Sequence, residues 1–173
     1  MRSFEFTTFG AGRAASCVLV GQLKKDVVMQ DLNLDETHSL LNKIIEYELA
    51  GVVRYTHYGL MVRGPNRIPI VDFFRAQAAE SLIHAQQAGE ILTGLEGHPT
   101  VAIAPIQETH QHSIGALLRE SLDHEQMAVN LYKDLLKVVQ DRSIYLEEYA
   151  RTQIGQEELH TMEISKMLRD YEV

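Results

Sequence analysis

The stretch whose reading decides the fold is Gln156-Glu157-Glu158-Leu159-His160, set within IGQEELHTMEISKML (154–168). Apolar residues recur there every three or four positions, the period of an amphipathic helix. Glu157 and His160 are three apart, so they share one face of that helix. The same face is the apolar one: Leu146, Ala150, Gln153, Glu157, His160, Ile164 and Met167 fall in one seam. A carboxylate and an imidazole therefore stand at core positions. A buried carboxylate without a partner costs several kcal/mol even after relaxation. A bound metal is one compensation, and the rest of the chain is read for further ligands. Alone, the pair decides nothing, because a solvated E-x-x-H is commoner than a metal site.

The 173 residues suit one domain with a sizeable core. A net charge of −8 argues against nucleic-acid binding, which needs a basic surface. Cys17 is the single cysteine. That excludes an internal disulfide, a thiolate zinc site and a C-x-x-C redox pair, and points to a reducing, cytoplasmic compartment. No apolar run reaches the length of a membrane span. AASCVLVG after Arg13 is short for a secretory signal, and no small-residue cleavage site follows it.

Residues 1–30 show no helical period and read as an extension, either with a strand-like piece, since FEFTTF alternates, or irregular throughout. The domain itself is expected over 31–173. Asn33 with Glu36 forms a capping pair for a first helix, whose seam runs Leu40, Leu41, Ile44, Ile45, Glu48, Val52, Tyr55 and Leu60. Arg63-Gly64-Pro65 stops it. Ile68-Pro69 opens a second helix that runs to Gly97. Pro99 and Pro105 bracket an extended connection, HPTVAIAP. A third helix is expected over Gln107–Val139 and a fourth over Ser143–Tyr171. Four long helices with two short links and one longer link read as an all-α, antiparallel four-helix bundle with a crossover between helices two and three.

Glu48 interrupts the first apolar seam and Glu125 the third, among Ile114, Leu118, Ala128, Tyr132 and Leu135. Glu157 and His160 interrupt the fourth. In the second, ESLIHA sets Glu80 and His84 four apart, about 40° around the helix. Each group is near mid-helix, so the four sets can meet at one level. Four carboxylates, two imidazoles and no sulfur suit two divalent transition metals, with iron first and manganese or zinc as alternatives. Glu48 and Glu125 are each followed seven residues on by a tyrosine, Tyr55 and Tyr132, which suggests two related helix pairs. His57, His124 and Glu120 fall off the seams. His110 and His112, at i and i+2, do not converge and read as solvated. Met127, Met162 and Met167 fit core or helix-contact roles.

YELAGVVRY (47–55), HAQQAGEILTGLEGHP (84–99), HEQMAVNLY (124–132) and EELH (157–160) together resemble the ferritin-like superfamily, and within it bacterioferritin. The resemblance covers residues 35–171. Glu48 to His84, His84 to Glu125 and Glu125 to Glu157 are separated by 36, 41 and 32 residues, close to the family spacing. It implies a di-iron centre in which Glu48 and His84 hold one metal, Glu125 and His160 the other, and Glu157 and the carboxylate of the second helix bridge them. This is the arrangement already described for di-iron bundles. It places Tyr55 beside the metals as a catalytic residue. Asp123, Glu46 or Glu120 would partner the outer histidine nitrogens. The implied activity is a ferroxidase that oxidises Fe(II) with dioxygen or peroxide, for iron storage or detoxification, in a homo-oligomer, either a dimer or a cage. A non-storing di-metal oxidase, or a helical bundle with a degenerate site, are the alternatives.

The chain departs from the family at three points. Ser81 stands where the family has its second-helix Glu, so either Glu80 takes over or one bridge is missing. Leu82 stands where bacterioferritin has its haem-holding methionine, which argues against haem there. The chain ends 13 residues past His160, without the family's short fifth helix, so the cage is not assured.

Overall fold

The structure is a computed structural model that describes residues 31–171. It contains α1 (Leu34–Met61), α2 (Arg67–Gly94), α3 (Ile114–Val139) and α4 (Ile144–Leu168), then a short 3-10 turn, Arg169–Tyr171. Among the described residues there is no strand. The extension and its strand-like FEFTTF lie outside them.

Local chemistry sets the boundaries. Asn33 Oδ1 accepts the Glu36 backbone N–H at 3.2 Å, and its side-chain amide donates to Glu36 Oε2 at 2.9 Å. Ser113 and Ser143 cap α3 and α4 in the same way, accepting from the backbone of Ala116 and Leu146. Gly64, with φ +92°, makes the turn between α1 and α2. The third helix begins at Ile114, not at the expected Gln107. QETHQH (107–112) has no apolar residue to bury, His110 adopts φ +55°, and the Ser113 cap is the first helix-starting signal that also has an apolar face behind it. Leu60, expected in the seam, is 74% exposed, and Tyr58 and Val62 continue the seam instead.

The crossover runs the length of α1. Asn42 Nδ2 donates to the His98 carbonyl, and Asn42 Oδ1 accepts from the Thr100 N–H. Further on, the Ala104 N–H donates to the Glu46 carbonyl, and His57 Nε2 lies 3.2 Å from Glu108 Oε2. The link therefore descends beside α1 and delivers α3 antiparallel to α1 and parallel to α2. His57, expected on the outer surface or in a subunit contact, is half-buried under this strap.

Two apolar clusters fill the bundle. One gathers Leu41, Ile44, Leu92, Leu135, Val139 and Leu146; the other gathers Tyr58, Phe74, Leu117, Leu118, Ile164 and Leu168. Between them, by register, every helix contributes buried polar residues: Glu48, Ser81 and His84, Ser121 with His124 and Glu125, and Gln153 with Glu157. The core is thus two hydrophobic blocks with a polar layer clamped between them. Among the described residues, no helix is long and apolar enough to cross a membrane.

Candidate metal centre

In the polar layer, Glu48, His84, Glu125 and Glu157 are each at most 4% exposed. Glu157 is the hub. Its Oε1 lies 3.0 Å from His84 Nδ1 and its Oε2 lies 3.2 Å from His160 Nδ1. His84 Nδ1 is also 3.6 Å from Glu48 Oε1, and His160 Nδ1 is 3.7 Å from Glu125 Oε2. Two triads result, Glu48–His84–Glu157 and Glu125–Glu157–His160, each with ligand atoms within 4.8 Å of one another. The donors are oxygens and nitrogens with no sulfur, which suits first-row divalent metals.

Two tyrosines tie the triads together crosswise. Tyr132, on α3, donates to Glu48 Oε1 at 2.8 Å. Tyr55, on α1, donates to Glu125 Oε1. Each phenol is fully buried, and burial beside carboxylates holds both hydroxyls protonated far above the ordinary range.

The electrostatics fit a site built around positive charge. Burial pushes Glu48 and Glu125 up. Burial also opposes ionisation of Glu157, but hydrogen bonds from His160 and His84 overcome it and hold this carboxyl below the usual range. Burial lowers the two histidines, yet bonds to Glu157, Glu48 and Glu125 prevail and raise both to about 10. Both histidines are thus held toward their charged forms beside the carboxylates, and a metal held by either triad would compete with those protons.

Glu80 lies on the other side of this assembly. Its Oε2 is 3.3 Å from His160 Nε2, the nitrogen facing away from Glu125 and Glu157, and its side chain is 33% exposed. The outer partner of His160 is therefore none of Asp123, Glu46 and Glu120. Glu120 instead accepts from Tyr58 and Thr109.

Ser81 is buried, and its side chain packs close to Gly51. A Cβ on Gly51 would lie 2.8 Å from both Ser81 Oγ and His124 Nε2. His124, expected off the seam, is 5% exposed and stacked on Tyr47, with ring centroids 4.3 Å apart and planes at 12°. Burial and the nearby Arg54 push its imidazole down to about 3, so it stays neutral. The signal in the sequence was Gly51 itself, a glycine in the interior of a long helix. Gly51→Ala is expected to lower stability by about 1–3 kcal/mol in urea unfolding, because the stacked His124 ring cannot give way. Met127 and Met162 are half exposed and take no part in the core. His110 and His112 are exposed, as read.

The model of the ferritin-like domain family matches residues 38–172. A search of curated proteins found no match. Among solved structures, the bundle is similar to a ferritin-like, diiron-carboxylate protein from Bacillus anthracis str. Ames, with 20% identity, TM-score 0.74, and 78% of this chain and 96% of that one covered. It is similar to a bacterioferritin-related protein from Bacteroides fragilis, described as a dodecameric thioferritin, with 20% identity, TM-score 0.76, and 91% and 95% covered. It is also similar to the bacterioferritin of Desulfovibrio desulfuricans, with 19% identity, TM-score 0.68, and 79% and 80% covered. At these identities the likeness establishes the fold.

Proposed function

Since this chain belongs to the ferritin-like domain family, we propose that it is a di-iron ferroxidase acting in iron storage or detoxification. One observation carries the reading: the two oxygens of Glu157 face two different histidines, each within its own triad. Glu48 and His84 would hold one iron, Glu125 and His160 the other, and Glu157 both. Fe(II) is the substrate; the two electrons of an iron pair, with two protons from solvent, take dioxygen to hydrogen peroxide or hydrogen peroxide to two waters.

The chain's own groups favour that direction. Three hard carboxylates in a dry layer stabilise the higher charge of Fe(III) over Fe(II). His84 and His160 fix the metal positions. Tyr55 keeps a proton at its hydroxyl on Glu125, which orients that carboxylate and leaves a phenol beside the reacting pair. A bundle whose site had decayed has no reason to retain three carboxylates in its core, given what they cost there. Members of this fold include the dodecamer from Bacteroides fragilis, and we place this chain in a homo-oligomer too.

The test is oxidation of Fe(II) under air by the purified protein. It should run well ahead of buffer, and Glu125→Ala should bring it back to the buffer rate. A wild-type rate no faster than buffer sinks the ferroxidase reading. Many irons retained per chain would mark storage, and turnover without retention would mark an oxidase.

A further inference from the structure

We infer that Glu80 is a positioning residue for His160, accepting the hydrogen bond of its outer nitrogen, and not a bridge between the metals. This rests on the proposed di-metal centre and assigns a role within it. His160 meets Glu125 and Glu157 through Nδ1 and Glu80 through Nε2. A metal held by that triad would use the Nδ1 lone pair, which would leave the ring proton on Nε2, 3.3 Å from Glu80 Oε2. A carboxylate there fixes the tautomer, holds the ring plane and makes Nδ1 a better donor.

A bridging role fails on position. Glu80 is in neither triad, and the imidazole ring stands between its carboxylate and the hub oxygens of Glu157. The next position carries Ser81, which is buried and brings no carboxylate to either triad. The half-exposed setting of Glu80 agrees. Its carboxylate reaches solvent, whereas those of Glu48 and Glu157 are enclosed.

The consequence is a centre of five ligands, with one half supported from outside by Glu80. Cobalt(II) titration of the full, metal-free chain tests this through its visible spectrum, without any turnover. Wild type should bind two cobalt ions per chain. Glu80→Ala should weaken one of the two about 10–100-fold and leave the other unchanged. Glu80→Gln should recover most of the loss, because an amide oxygen still accepts from Nε2–H but cannot replace a bridging carboxylate. Equal weakening of both ions in the alanine and glutamine variants, or no change in Glu80→Ala, overturns the assignment alone. Wild-type protein that binds no cobalt overturns the centre itself, and the assignment with it.

Discussion

Glu157→Ala is expected to empty both halves of the centre at once, where Glu48→Ala empties one. The reason is geometric. Glu157 offers one oxygen to each histidine and is the only residue common to the two triads. Removing it leaves each position with one carboxylate and one imidazole, and affinity at both should fall more than about 100-fold, beyond the loss seen when an outer partner is removed. The metal-free variant also suffers, because two imidazolium groups lose their shared counter-charge. Breaking a buried pair from one side costs about 3–5 kcal/mol. Helicity by circular dichroism establishes that the variant has folded, and equilibrium dialysis against cobalt counts what it binds. Glu157→Gln, of nearly the same shape, provides the same count if the alanine variant does not fold. Retention of one tight ion by either variant would show that the hub is not shared.

The second large effect concerns pH. Metal-free protein should lose stability as pH rises from 6.5 to 10, and metal should restore it. Both His84 and His160 have folded values raised to about 10 from an ordinary 6.5. A raised histidine stabilises the folded state fully below its unfolded value, and that contribution is lost as pH climbs through the folded one. Glu125 acts in the same direction, since burial raises it and its ionisation in the core opposes folding. Glu157 acts oppositely, but in another window: its lowered value withdraws stability only as pH falls below the ordinary carboxylate range. Thermal unfolding with a chelator present should therefore show a melting point lower by several degrees at the alkaline end of the window. Metal takes the place of the departing protons, so the gain from loading should be largest where the metal-free protein is weakest. At a hundredfold excess over Kd, that gain is about 2.7 kcal/mol per site. A metal-free stability that stays flat or rises across the window would contradict the raised histidines.

Much of this centre could be read from the chain because polar residues interrupted apolar seams. Glu48, Glu125, Glu157 and His84 each stand where a leucine would be expected, and the structure buries all four. The bundle followed from the same periodicity. What escaped was whatever depends on a neighbouring helix. His124 flanks a seam, and its burial is decided by the missing side chain of Gly51 and the flat face of Tyr47. The direction of the Glu80 carboxylate is decided by His160, 80 residues away. The start of α3 depends on which of several polar residues caps it, and QETHQH carries no period to say.

The crossed tyrosines have a consequence for how the molecule comes apart. The hairpin α1–α2 supplies Tyr55 and Glu48 to these two bonds, and α3–α4 supplies Glu125 and Tyr132. Separating the hairpins breaks both bonds at once within the buried polar layer. The two hairpins form a single cooperative unit, latched at its centre and not at its ends.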